Sequence, residues 1–330
     1  MAGFGQVQPF SASPQNSQKA DLIVSFFIFD FSSLRLQKMG HRENHYAPAF
    51  LLREWEAGAD GKLTQYSWLR GDLRMDRYKA KSVGKQRDLY TRGTAANEIN
   101  VDIEKAFLGP HVDEPAAGVH KKIIETGVRS LMGGEKEIWA RFLVAQMMRT
   151  PHMIERLKVR GTEILQKGMD ERPEEDKAVR DADYPETLRE WAEREMPSLY
   201  EDFGISALPV LIESEVLLGA VANGHWATRS FRQAGFNLVV GDCPLLYYGT
   251  MASNFLLALP LSPQCVFFSF SSQQVWDAHL NRHADAHMVA KINRSSAMES
   301  ARYMYATDDR HEPLARRYLK DLKTRAAVGR

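Results

Sequence analysis

The stretch EKEIWARFLVAQMMRTP, residues 135–151, constrains the fold more than any other. Ile138, Trp139, Phe142 and Leu143 recur at helical spacing on one stripe, which predicts an amphipathic helix with one face in a core. Gln146 continues that stripe, and Arg149 lies one turn beyond it on the same side. The core face of the clearest helix therefore ends in an amide and a guanidinium. Burying a charge without a partner is costly, so Arg149 either meets a carboxylate or anion, or carries its charge out to solvent on its long stem. Pro151 lacks an N–H and crowds the turn before it, so the helix breaks at Thr150 or restarts with Pro151 as its first residue.

The periodicity changes on either side of this helix. KLTQYSWL and MDRYKAKSV alternate as strands, with Arg70-Gly71-Asp72 as the turn between them. HYAPAFLLREW, residues 45–55, places a histidine, a tyrosine and a proline before an apolar run that reads as a short helix or a first strand. From about 98 to 225 the chain reads helical: Asn100 caps IEKAFLG, and EPAAGVHKKIIETG stops at Gly127. PETLREWAEREM is another helix, and LPVLIESEVLLGAVA (208–222) is a buried one. After 235, FNLVVGDCPLLYYG and LPLSPQCVFFSFS read as strands, and the tail from 283 onward reads as helix. Strands at both ends with helices between them predict an α+β fold: a mostly helical centre and a small sheet built from N- and C-terminal strands. We expect a single domain over 39–330 with a charged surface insertion near 169–186. Residues 1–38 read as a disordered or spurious extension, with Met39 as the natural start.

Composition narrows the classes. The net charge of +1 lacks the basic excess of a bulk nucleic-acid binder. Two cysteines, Cys243 and Cys265, make neither a disulfide framework nor a four-cysteine zinc site, and a reduced, cytoplasmic setting is the expectation. LIVSFFIFDF (22–31) falls short of the roughly 20 residues needed to span a bilayer and lacks a cleavage site. The 208–222 run carries Glu213 and Glu215. No membrane partner is expected. The common nucleotide-binding, metalloprotease, hydrolase-elbow and thiol-redox motifs are absent.

Several residues are candidates for chemistry. His45, beside Tyr46, suits a general base or metal ligand, or else an ordinary cap before Pro48. Asp242 follows an apolar run in VVGDCP, where a carboxylate can bind a metal, orient a base, pair with an arginine or simply form a turn. Glu104, Asp113 and Glu114 could join it in a cluster able to hold a divalent cation. His279, His283 and His287 follow at four-residue steps, which reads as a solvated, titratable face.

His45, Tyr46, Pro48, Leu52 and Arg53 form a His-Tyr-x-Pro-x-x-x-Leu-Arg box. It resembles the opening of the bacterial domain-of-unknown-function family 4238. SVGKQRDLY (82–90), IEKAF (103–107), Asp113 to Ala117, FLVAQMMRTP (142–151), VVGDCP (239–244), LPLSP (259–263) and an Asn293 to Tyr305 helix continue the likeness in order. Asp113 stands where that family usually has glutamate, and Gly241 and Cys243 replace its serine and asparagine. The resemblance implies no reaction. The residues themselves suggest a hydrolase acting on a phosphoester or other anionic substrate, which could be a small molecule or nucleic acid. His45, Arg149, Asp242 and Glu104 would be catalytic, Tyr46, Gln146 and Asn293 would bind, and a divalent metal is compatible with the set. The alternative is a non-enzymatic interaction protein in which the same side chains form a buried structural network.

Overall fold

The computed structural model describes residues 43–93, 99–100, 102–171, 187–196, 198–279 and 283–320. The expected extension over 1–38, the apolar run 22–31 and most of the charged insertion (172–186) lie outside them. In chain order the elements are β1 (Glu43–His45), α1 (Ala49–Leu52), β2 (Leu63–Leu69), β3 (Asp72–Tyr78), β4 (Lys85–Arg87), β5 (Arg92–Gly93) and β6 (Ile99–Asn100). A π-helix (Ile103–Asp113) then runs into α2 (Glu114–Thr126), followed by α3 (Glu135–Met148), α4 (Pro151–Glu171), α5 (Leu188–Glu195), α6 (Leu199–Ile212) and α7 (Glu215–Ala222). The C-terminal part holds β7 (His225–Ser230), β8 (Val240–Gly241), β9 (Leu246–Thr250), β10 (Asn254–Ser262), β11 (Cys265–Phe270), α8 (Gln273–His279), α9 (Asp285–Glu299), β12 (Tyr303–Ala306) and α10 (Glu312–Tyr318).

The chain divides into two compact units. The smaller takes, among the described residues, Arg92–Asn100 and Lys158–Ile205. Within it α4 and α6 approach so closely at Gly161 and Gly204 that a Cβ on Gly161 would run into the Gly204 backbone. The larger comprises Arg42–Thr91, Val101–Leu157 and Ser206–Arg330.

The larger unit is an α+β fold with two four-stranded antiparallel sheets. One has the order β3-β2-β12-β8 and joins N-terminal to C-terminal strands, as the sequence predicts. Its β2–β3 hairpin turns at Arg70 (φ 55°) and Gly71 (φ 92°). Two successive left-handed residues match the right-handed twist of the flanking strands, so the RGD tripeptide is a tight hairpin turn. The second sheet, β7-β11-β10-β9, draws only on residues 225–270. Helix α9 serves both. Its Met288, Val289 and Ile292 pack with Phe268, Phe270 and Leu256 of the second sheet. Its Ala297 packs with Tyr66 and Met304 of the first.

Several expectations need correction. Asn100 is the end of a short strand, not a helix cap; the following helix starts after Asp102 and is π-helical. The Asn293 to Tyr305 segment is not one helix. Helix α9 ends at Glu299, and Tyr303–Ala306 turns into the strand that closes the first sheet. The 208–222 run is not one buried helix either. It splits between α6 and α7 around Glu213, and Val210 and Val216 are exposed. Taken together, Leu199–Ala222 is long and apolar enough to cross a membrane by length and composition alone. The three histidines at four-residue steps do not share a helix: His279 closes α8 while His287 belongs to α9, and the His283 and His287 rings stack at 4.8 Å.

Helix α3 buries the predicted stripe at Trp139, Phe142 and Leu143, but it is not amphipathic: Ala140, Val144 and Ala145 are buried as well, so the helix is surrounded on most sides. Trp139, fully buried, stacks on Phe142 at 4.9 Å and meets Phe267 of β11 edge-on. His120 of α2 packs beside it, with Nε2 2.9 Å from the Leu261 carbonyl oxygen. Burial in this apolar setting lowers the His120 pKa to about 4. A histidine whose folded-state pKa is depressed is stabilising above its unfolded value near 6.5 and loses that stability as pH falls towards 4. We expect His120 to account for about 3 kcal/mol of acid destabilisation over that window. Urea unfolding at pH 7 and pH 4 tests this, and His120→Gln should flatten the dependence.

Candidate functional site

The candidate site lies wholly in the larger unit, and it starts from the polar end of α3. Arg149 follows the last turn of that helix and is completely buried. Its Nη1 donates to both oxygens of Asp113, at 2.8 and 3.0 Å. With the Gln146 amide oriented so that its oxygen faces the guanidinium, an assignment made from the hydrogen-bond network, that oxygen accepts from Nη2 and, at 2.8 Å, from Nε. Phe142 covers the guanidinium, ring centroid 5.7 Å away. The Arg149 backbone oxygen accepts from the Tyr90 hydroxyl at 2.7 Å. Burial raises the Asp113 pKa despite the opposing arginine, and the nearby Glu104 carboxylate adds to the rise.

The π-helix explains how Glu104 and Asp113 come together. They are nine positions apart (113 − 104). At 3.6 residues per turn, nine positions make roughly two and a half turns and point to opposite sides. The wider i→i+5 turn brings nine positions close to two full turns. Pro110, inside the segment, has no N–H for an α-helical bond.

His45 stands at the end of β1. Its backbone N–H donates to Glu104 Oε1 at 3.0 Å, and its Nδ1 lies 3.7 Å from the same oxygen. Two side-chain atoms here are buried without any hydrogen-bond partner among the described residues: His45 Nε2 and Glu104 Oε2. The box around His45 is held from several directions. Asn44 accepts the Tyr90 N–H at 3.1 Å. The Gly84 carbonyl accepts from both Tyr46 and Ala47, each at 3.0 Å. Gly84 has φ +66°, and a Cβ there would lie 2.6 Å from the Ala47 oxygen, so both conformation and space call for glycine.

Of the roles that the sequence leaves open to it, Asp242 takes the turn-fastening one. It follows β8, and its carboxylate accepts from the backbone N–H groups of Ala301, Arg302 and Tyr303 at 2.6, 2.8 and 3.1 Å. These donors would otherwise be left open where α9 gives way to β12. The Tyr46 hydroxyl donates to the same carboxylate at 3.5 Å. Asp242 therefore fastens the α9–β12 turn. Tyr46 links the box to that turn, and burial raises the pKa of its phenol. Asn293 is also structural: its amide accepts from Val239 N–H and donates to the Asn237 carbonyl oxygen, both at 2.9 Å. Among the described residues no group of three or more His, Cys, Asp or Glu side chains could hold a metal ion. Glu104, Asp113, Glu114 and Asp242 therefore do not form the cation-holding cluster that their sequence allows.

The structure thus brings His45, Glu104, Asp113, Gln146 and Arg149 together, while Asp242 after β8 and Asn293 within α9 bind backbone groups elsewhere. Residues 43–310 match the model of a family described as "Protein of unknown function (DUF4238)". The chain belongs to that family. No curated protein and no solved structure matches the chain. All the residues of this network lie within the matched range. Gly241 is required by its surroundings. A Cβ at 241 would lie 2.5 Å from Ser300 Oγ and 2.9 Å from the Ser296 oxygen, and Ser300 occupies that space while donating to Ser296.

Sequence reasoning missed Tyr90 as the link between the Arg149 and His45 backbones, and it did not pair Arg149 with Asp113. Only the family box ending at Tyr90 hinted at the first. The second requires the π-helical turn. Replacing Asp242 by Asn should cost about 3 kcal/mol, because bonds to an ionised acceptor exceed those to a neutral amide. Chemical denaturation of the two proteins at neutral pH measures this, and a loss under about 0.5 kcal/mol would contradict the assignment.

Proposed function

We propose that the protein is a hydrolase with His45 as its proton acceptor and Glu104 as the residue that positions the imidazole. The supporting observation is the pair of buried, unpartnered atoms, His45 Nε2 and Glu104 Oε2. Around them Arg149, Asp113, Gln146, Tyr90 and Asp242 all have defined partners. Buried polar atoms normally find partners, so an orphaned imidazole nitrogen beside an orphaned carboxylate oxygen fits a place where substrate or a reacting water completes the bonding.

In this reading Nε2 takes a proton from water as the water oxygen attacks the substrate. The ester bond breaks, and the proton passes on to the leaving oxygen. Glu104 Oε1 faces Nδ1 and keeps the ring in place. Arg149 forms the rigid floor of the site and does not grip substrate, because its three nitrogens are already engaged. The substrate class we infer is a phosphoester, either a small molecule or a nucleic acid.

The closed bonding of Arg149 and Asp242 also favours a second reading, in which the whole set is a structural network in an interaction protein. A chromogenic phosphodiester, a chromogenic phosphomonoester and a single-stranded oligonucleotide separate the two. We expect turnover of at least one by wild type, and a fall of about 10²-fold or more in His45→Gln with melting temperature unchanged. Equal turnover by wild type and His45→Gln would contradict the hydrolase reading, as would no turnover of any of the three.

A further inference from the structure

We propose that Lys85 is the anion-holding residue of the His45 site, and that the anion it takes is a phosphate-class oxyanion. The catalytic meaning of this inference rests on the reading of His45 above. Its physical basis is the β1–β4 ladder, in which Lys85 stands directly opposite His45 and Arg87 opposite Glu43. Directly opposed residues of an antiparallel pair project from the same face, with Cβ atoms roughly 4.5–5.5 Å apart. Glu43, His45, Lys85 and Arg87 therefore share one face, while Asn44 and Gln86 share the other.

An anion arriving at His45 needs a cation, and Arg149 cannot supply one. Its guanidinium is buried and divided between Asp113 and Gln146. Arg87 is mostly exposed and leans on Asp88, with Nε 3.5 Å from Oδ2. Lys85 is different. Its side chain is only 23% exposed, and its ammonium lies 3.5 Å from Glu43 Oε2. That separation exceeds the roughly 2.7–2.9 Å of a charge-assisted hydrogen bond. An oxyanion can take the place of Glu43 as the closer partner of Lys85, on the face that His45 shares, with Nε2 left to the attacking water. Glu43 on this face and Glu104 and Asp113 beside it are carboxylates that an anion meets near His45. They make Lys85 necessary, because without its charge the face repels the ligand.

Titration of inorganic phosphate into the full-length protein by calorimetry, at one fixed low ionic strength, tests the inference. We expect saturable binding to wild type, affinity reduced about tenfold or more in Lys85→Met, and near-wild-type affinity in Lys85→Arg and in Arg87→Met. Melting curves of each variant establish that it is folded, and Lys85→Gln replaces Lys85→Met if the latter is not. Unaltered phosphate affinity in the Lys85 variant, or no saturable binding by wild type, overturns the inference. Loss of hydrolysis in His45→Gln together with Lys85-independent phosphate binding would overturn it while leaving the hydrolase reading in place. Lys85-dependent binding without hydrolysis would support it and remove that reading.

Discussion

The buried ion pair between Arg149 and Asp113 is the interaction on which the rest of the larger unit depends. A guanidinium with no solvent exposure is tolerable only if its charge and its donors are matched, and here one carboxylate and one amide oxygen match them. The match has consequences for the backbone. Asp113 must face the end of α3, which the π-helix achieves. Gln146 must lie a turn before Arg149, which the α-helix achieves. The Arg149 carbonyl then receives Tyr90, whose own N–H is taken by Asn44. In this way the helix end fixes the strand that carries His45.

The same economy of bonding makes the exceptions informative. Asp242 spends its oxygens on three backbone donors and a phenol, and Asn293 clamps two backbone groups. Both are buried polar side chains with structural work. His45 and Glu104 differ, since each retains a polar atom without a partner. Trp139 Nε1, Ser269 Oγ and Ser296 Oγ also lack a partner among the described residues, but each is a single donor on its own side chain, whereas His45 and Glu104 face each other through Nδ1 and Oε1.

Much of this was legible in the chain. The polar end of α3, the restart at Pro151 and the RGD hairpin follow from local rules of periodicity and turn chemistry, and the structure agrees with each. The amphipathic reading of α3 does not hold, because Ala140, Val144 and Ala145 are buried along with its apolar stripe. The joining of N- and C-terminal strands in one sheet also followed from pattern. What could not be read were the long-range choices. Asp113 and Asp242 are both plausible partners for Arg149 in sequence, and only the π-helical turn decides for Asp113. Asp242 resembles a metal ligand until the open donors after α9 are seen to need it. The short strand Tyr303–Ala306 follows a helical pattern without a break in composition, and it forms because β2 and β8 offer it two open edges.

A double-mutant cycle on Arg149→Met and Asp113→Leu, read by urea unfolding at neutral pH, tests the central claim most directly. Asp113→Leu leaves the fully buried guanidinium without its counter-charge and Arg149→Met leaves a part-buried carboxylate without its donor. The account therefore predicts a loss of about 3–5 kcal/mol for the first and a smaller one for the second, with the double variant recovering at least about 2 kcal/mol of the summed loss. Losses that simply add, within about 0.5 kcal/mol, would show that the two side chains do not depend on each other and would contradict it.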